Sequence, residues 1–213
     1  MTNNLPITVG SFRDSPKTLR PADSTGCAIG WLAGINGSRI HAINVVSSDG
    51  SNAVSLIRYI GKPMTLQSNM GTGQYATTTT ITRSSGSFIT DGWLVGDKCI
   101  PIGSTTRAND KTLTITAVAA GTLTFSETVS TETFPAGLIL YKAARITMSN
   151  IPISAGYSTS VSSVDCLKDN DATRDASPNR YMTIGALGAL IFAANSAIAA
   201  SQSVEITCQG GDY

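Results

Sequence analysis

Three consecutive stretches decide the fold class: Arg39-Ile-His-Ala-Ile-Asn-Val-Val46, Ser47-Ser-Asp-Gly-Ser-Asn52 and Ala53-Val-Ser-Leu-Ile-Arg-Tyr59. In the first, Ile40, Ala42 and Val46 fall on one parity and His41, Ile43 and Val45 on the other. That is the pattern of a strand buried on both sides. The second is a polar cluster holding a D-G dipeptide, a turn signal. In the third, Val54, Leu56 and Arg58 alternate with Ser55, Ile57 and Tyr59. Strand, polar turn and strand together read as a hairpin, closed by Gly61 and Pro63.

The same period recurs on either side. Leu113, Ile115 and Ala117 alternate with Thr112, Thr114 and Thr116, and Gly121 turns the chain into Leu123 and Phe125. Lys98 to Ile102 is a short strand. Leu138 to Tyr141 leads to a strand with Ile146 and Met148 that ends at Ile151-Pro152-Ile153, because proline cannot donate inside a central strand. Val161 to Leu167 reads as another strand, and Val204-Glu-Ile-Thr-Cys208 alternates without a fault. A low-complexity bridge at residues 67–80 marks the entry to a unit with its own apolar set: Phe88, Trp93, Val95, Ile100, Ile115, Val118, Leu123 and Phe125. That unit reads as a small barrel of short strands. No long amphipathic helix pattern occurs, so the expected class is all-β.

Residues 1–30 carry Pro6, Pro16 and Pro21 among polar residues. They read either as an unstructured terminus or as an extended arm that orders on a neighbouring subunit. With the arm, the chain divides into residues 1–30, a discontinuous β-sandwich of 31–74 and 142–213, and an inserted small β-barrel at 75–141.

Composition narrows the function. The 213 residues hold 15 Lys+Arg against 14 Asp+Glu, for a formal net charge of +1, and only 14% are charged. Ser and Thr make up roughly a quarter of the chain, well above ordinary usage. A nucleic-acid binder would show a basic excess or stripe, and a membrane-surface protein a polybasic face. Neither is present, so no direct nucleic-acid or membrane partner is expected. The stretch from Ile184 to Ala200 is shorter than the roughly 20 apolar residues of a span and is broken by Asn195-Ser196. It reads as a buried strand with a small-residue turn. Met1-Thr-Asn-Asn-Leu-Pro lacks the regions of a signal peptide. Cys27, Cys99, Cys166 and Cys208 are far apart, without a C-x-x-C pair, and read as free, mostly buried thiols.

Catalytic schemes find little support. His41 is the only histidine and lies within a strand pattern, so any Ser-His-Asp or Cys-His scheme would depend on it. Carboxylate pairs could be drawn from Asp169, Asp171, Asp175, Glu127, Glu132 and Glu205, but no spacing singles out a pair. Asp169-Asn-Asp171-Ala-Thr173-Arg-Asp175 has oxygen ligands at alternate positions. It carries Arg174 where a calcium loop needs its sharp-turn glycine, and reads as a solvated loop. The glycine clusters match neither a P-loop nor a dinucleotide fingerprint. No catalytic residue, cofactor or metal is expected.

The stretch Thr82-Arg-Ser-Ser-Gly-Ser-Phe-Ile-Thr-Asp-Gly-Trp-Leu-Val-Gly-Asp97 continues through Gly103-Ser-Thr-Thr-Arg-Ala-Asn109 to Thr112-Leu-Thr-Ile-Thr-Ala-Val118 and Gly121-Thr-Leu-Thr-Phe125. It resembles a small β-module that recurs in virion proteins of tailed bacteriophages: D-G-W/F, V-G-D, a strand, an asparagine turn, T-I-x-x-V and T-L-T. The flanks resemble a β-sandwich of the head-decoration type, with residues 39–46 and 53–56 as its opening hairpin and 151–156 and 184–208 as its closing half. The resemblance implies a jelly-roll-like sandwich with an inserted barrel, in a non-catalytic decoration or cement protein that binds the assembled coat lattice. It also implies assembly in the bacterial cytoplasm onto the phage head, contact with the major capsid protein, and a dimer or trimer of this chain. Two alternatives stand beside it: a neck or tail component, and a carbohydrate-binding adhesin with Trp31, Trp93 or Tyr157 as sugar platform. Trp93, which follows a turn and leads into a strand, reads first as a core anchor.

Overall fold

The computed structural model describes residues 11–19, 26–49, 52, 54–153, 172–174, 180–194, 198–199 and 202–213. Within them the chain forms β1 (Ser11–Leu19), β2 (Cys27–Leu32), β3 (Ser38–Ser47), β4 (Val54–Leu66), β5 (Gly73–Thr77), β6 (Thr80–Arg83), β7 (Lys98–Ile102), β8 (Leu113–Ala119) and β9 (Thr122–Phe125). After these come β10 (Glu132–Thr133), β11 (Ile139–Ile153), β12 (Ala172–Arg174), β13 (Arg180–Ile184), β14 (Ala189–Ala194) and β15 (Val204–Asp212). Among the described residues no α-helix occurs; three-residue 3-10 turns lie at Gln67–Asn69 and Arg107–Asn109. The protein is all-β.

The strands form two antiparallel sheets. One runs β1-β15-β3-β13-β12, and the other β10-β5-β6-β9-β8-β7-β11-β4-β14-β2. The five-stranded sheet packs on the β4-β14-β2 end of the larger one as a β-sandwich. Ile40, Ile43, Val45, Met182, Ile206 and Cys208 of the first sheet share a core with Trp31, Val54, Leu56, Leu190 and Phe192 of the second. Burying a side chain of this size stabilises by roughly 1.5–3 kcal/mol, so this layer supplies much of the fold's driving force.

β3 and β4 are not the hairpin that their sequence suggests. β3 lies in the five-stranded sheet and β4 in the ten-stranded sheet, so the chain changes layer between Ser47 and Val54. Each strand has an apolar face, and the two faces pack against each other in one core rather than lying side by side in one sheet. Between the two strands, Asn52 N–H donates to the Asp49 carboxylate (2.9 Å), and Ser48 N–H to the Ser203 carbonyl (2.9 Å).

Nor is β3 buried on both sides. Its inward residues are Ser38 and Ile40, then Ile43, Val45 and Ser47. The phase changes at a β-bulge, where Gln209 faces Ala42 and Gly210 faces Ile40, leaving His41 as the extra residue. A single inward face, shifted by one residue midway, imitates apolar residues on both parities.

Residues 1–30 contribute two strands to the sandwich. β1 pairs with β15 over nine positions, from Ser11 opposite Asp212 to Leu19 opposite Val204, and β2 forms the edge of the larger sheet. Pro16 is tolerated because β1 is an edge strand. Within Ile184–Ala200, Ile184 ends β13, a turn follows, and β14 is buried at all six positions. Among the described residues no helix is long and apolar enough to cross a membrane. The expected strand at 161–167 lies outside the described residues.

The excursion between β4 and β11 is carried on these two long paired strands, with Leu66 opposite Ile139 and Val54 opposite Ile153. It encloses a second core of Tyr75, Ile81, Phe88, Trp93, Leu113, Ile115, Leu123, Phe125 and Phe134. Its strands do not close into the expected barrel: β10 is a free end of the strand order and β7 pairs with β11, so the unit is one wing of the ten-stranded sheet. Val95, assigned above to its core, is 65% exposed. A bulge in β8 leaves Thr116 as an extra residue between Ile115 and Ala117. The phase shift exposes Ala117 and turns Val118 against the core.

Candidate functional site

The side chains that carry chemistry elsewhere are used here to hold backbone. Glu127 accepts from Thr114 N–H (2.6 Å), Thr114 hydroxyl (2.7 Å) and Ser126 hydroxyl (2.9 Å). Partial burial raises its pKa, but these hydrogen bonds outweigh it and hold the carboxyl below its ordinary value. Glu132 accepts from Thr105 N–H (3.1 Å) and Thr106 N–H (2.7 Å). Glu205 is exposed on β15. These three glutamates are not brought together as a catalytic pair. Asp169, Asp171 and Asp175 lie outside the described residues, and so does the rest of the 169–175 loop, read above as solvated, except for the backbone of 172–174. Among the described residues no cluster of His, Cys, Asp and Glu is suited to hold a metal.

His41 is half-buried at the bulge of β3. Cys27, Cys99 and Cys208 are buried and form no disulfide; Cys166 lies outside the described residues. Burial pushes the Cys27 thiol up to about 12, opposed by its hydrogen bond to Thr112. Trp31 is fully buried and Trp93 is 2% exposed, so neither indole face is open to a sugar. Tyr157 is outside the described residues.

The D-G-W and V-G-D motifs act as structural clamps. Asp91 accepts from Arg83 (2.5 Å) and from the Thr65 hydroxyl (2.6 Å), and Trp93 Nε1–H donates to that same hydroxyl (3.0 Å). Arg83 also donates to the Ser85 and Asn69 carbonyls and lies over the Phe88 ring. Gly86 has a φ of +75° and passes so close that a Cβ there would sit 2.8 Å from Arg83 Cζ. Asp97 accepts from Leu94 N–H (2.9 Å) and pairs with Lys142 (2.6 Å). Asn109 exchanges two hydrogen bonds with the Ser130 backbone. Asp110 caps Gly103 and Ser104, and its burial raises its pKa against the pull of these bonds. Sequence inspection singled out Asp91 and Trp93 but missed Thr65 and Asp110. Thr65 comes from another strand, so no local spacing marks it.

Some large aliphatic side chains are exposed. At one end of the sandwich, Ala33 N–H bonds to the Gly188 carbonyl (2.8 Å) and Leu187 N–H to the Gly34 carbonyl (3.0 Å), zipping two turns together. Asp212 fastens this end by accepting from Gly34 N–H (3.2 Å) and the Ser38 hydroxyl. The ordered tip exposes Leu32 (46%), Ile35 (76%) and Leu187 (52%). Leu187 holds a φ of +56°, the only positive φ outside glycine among the described residues. A leucine there costs of order 1–2 kcal/mol, and such strain is concentrated at functional contacts. A second exposed set, Ile89, Leu94 and Val95, lies on the motif loop of the excursion.

Comparison of the chain with protein-family models, curated proteins and solved structures finds no match.

Proposed function

We propose that the chain is a non-catalytic structural subunit of a tailed-phage virion, a decoration or cement protein that binds the assembled coat lattice and stabilises the head. The observation that carries this reading is the tip of Leu32, Ile35 and Leu187. It is an exposed aliphatic surface held in a strained, hydrogen-bonded loop pair. The resemblance of residues 82–125 to the phage module supplies the class of particle. The use of Glu127, Glu132, Asp91 and Asp97 as backbone clamps and ion-pair partners supports a scaffold rather than an enzyme.

In this proposal the tip seats on the coat protein, and the excursion reaches a neighbouring decoration subunit through Ile89, Leu94 and Val95 in a dimer or trimer. The protein is made in the host cytoplasm and joins the finished lattice, whose assembled state it stabilises by mass action. Symmetry multiplies contacts that are individually weak. In this proposal β1 is not part of an arm that clamps an adjacent chain, because it pairs with β15 within the sandwich.

The test is the copy number of this protein in gradient-purified particles of its source phage, by quantitative mass spectrometry against the major coat protein. A number comparable to the coat protein is expected. A number matching a single ring moves the protein to the neck or tail, and complete absence ends the virion reading.

A further inference from the structure

A cleft of about 450 Å³ opens on the face of the large sheet turned away from the sandwich core, lined by Ile57, Tyr59, Lys111, Thr112, Glu127, Thr128, Ala193 and Ala194. Its volume lies in the range of small-ligand sites. The cause is visible in β14, whose residues on this face are Ala189, Ile191 and Ala193: bulk stops after Ile191, and Ala193 leaves space beside Ile57 and Tyr59.

The walls are set in advance. Lys111 and Thr112 follow the turn locked by Asn109 and Ser130, and Thr112 also shares a hydrogen bond with the Cys27 thiol (3.7 Å). Glu127 is pinned by its bonds to Thr114 and Ser126, so it is already occupied. Lys111 differs. Its backbone N–H goes to Asn109, but its ammonium meets no acceptor among the described residues. The cleft therefore presents an apolar floor, hydroxyls of Tyr59, Thr112 and Thr128, and one ammonium that meets no acceptor among the described residues.

We propose that this cleft binds a carboxylate carried on a small apolar body, with the carboxylate on Lys111 and the body against Ile57 and Ala193. An ammonium donates three hydrogen bonds and accepts none, so its complement is an anion. The negative charge of Glu127 on the same rim disfavours a polyanion and selects a monoanion. Two sources present this chemistry: a free short-chain acid and the C-terminal residue of a polypeptide. The site stands apart from the sandwich tip and does not depend on the virion reading.

The test is titration of the full chain, labelled at isoleucine and alanine methyls, with hexanoate, with N-acetyl-Gly-Leu and with N-acetyl-Gly-Leu amide. Saturable shifts confined to Ile57 and Ala193 are expected with both acids. Lys111→Met should weaken binding by about tenfold, as loss of one charge-assisted hydrogen bond does, and the amide should be weakened alike. Thr128→Trp, at an exposed position on the mouth, should block binding while leaving the fold intact. Tighter binding of the peptide acid than of hexanoate identifies a chain terminus as the natural occupant; the reverse identifies a small acid. No saturable shift in the unmodified protein, or equal affinity for the amide and in Lys111→Met, overturns the proposal.

Discussion

Gly210 lies against Arg39 so closely that a methyl group on its α-carbon would overlap the Arg39 carbonyl oxygen and sit 3.0 Å from Ile40 Cα. The contact belongs to the bulge where His41 is extra and β3 changes its inward parity. The neighbour is backbone, which cannot turn aside as a side chain can. Gly210→Ala should therefore destabilise by about 3 kcal/mol, at the upper end of overpacking effects. Urea unfolding should show a lower midpoint with an unchanged slope. A midpoint within error of the unmodified protein would show that β15 yields at no cost.

Asp91 joins Arg83, Thr65 and Trp93, and removing its charge leaves the Arg83 guanidinium, with its side chain 2% exposed, without its counter-ion. Breaking a buried pair from one side costs about 3–5 kcal/mol. Asp91→Asn keeps the shape and should lose about 3 kcal/mol, with a shift in Trp93 fluorescence as its Thr65 partner reorients. Lys142→Met, which breaks the more exposed pair with Asp97, should cost under about 1 kcal/mol. Similar losses in both variants would refute this ranking.

These two sites show where sequence legibility stopped. Alternation around Leu113, Ile115 and Val204 to Cys208 was readable because each strand keeps an apolar face, and that sufficed for the all-β class. The bulges at His41 and Thr116 were not readable, since an extra residue shifts parity without leaving a local mark. The partnership of strands was also hidden. A D-G turn between two strands serves a hairpin and a connection between sheets equally, and the choice depends on distant strands such as β15 and β14. Val95 was misassigned because the V-G-D turn needs Gly96 and Asp97 for its geometry and leaves the valine outside. Thr65 and Lys111 are ordinary residues in sequence, and their roles arise only from what the fold brings beside them.

Glu127 gives the stability a pH dependence with a definite sign. Desolvation is outweighed by three hydrogen bonds, so its folded pKa lies below the ordinary 4.5. The unfolded chain then binds the proton first, and stability rises with pH between the two values. The contribution is present above about 4.5 and is lost as pH falls through the folded pKa. Glu127→Gln should cost about 1–2 kcal/mol at neutral pH, and the difference from the unmodified protein should shrink below pH 4.5. Thermal unfolding across pH 2.5–7 checks this (range chosen around the roughly 4.3 of a free glutamate). A difference independent of pH would mean that the bonds do not favour the ionised form.

The three described cysteines should be inert until the protein unfolds. The thiolate is the nucleophile, and burial keeps Cys27 and Cys99 protonated well above pH 8, while Cys208 sits in the sandwich core. Iodoacetamide labelling with site-resolved mass spectrometry should leave Cys27, Cys99 and Cys208 unmodified in buffer. All three should label together through the urea transition. Early labelling of Cys27 alone would show that the contact between β2 and Thr112 opens locally.

Leu187 separates stability from binding. Its positive φ is unfavourable for leucine and neutral for glycine, so Leu187→Gly removes strain of order 1–2 kcal/mol and gives back part of it as extra freedom of the unfolded chain. The net expectation is a stabilised isolated protein, by about 0.5–1 kcal/mol. The same substitution deletes an exposed aliphatic side chain from the tip, so under the proposed decoration role binding to coat lattices stripped of this protein should weaken. Ile35→Asp, at a 76% exposed position, should leave the unfolding midpoint unchanged and lower occupancy further, because a charge is then pressed into an apolar contact. Gains in stability with falling occupancy mark a residue retained for its contact rather than for the fold. Undiminished occupancy in both variants would remove the tip from the interface and leave Ile89, Leu94 and Val95 as the surface to mutate next.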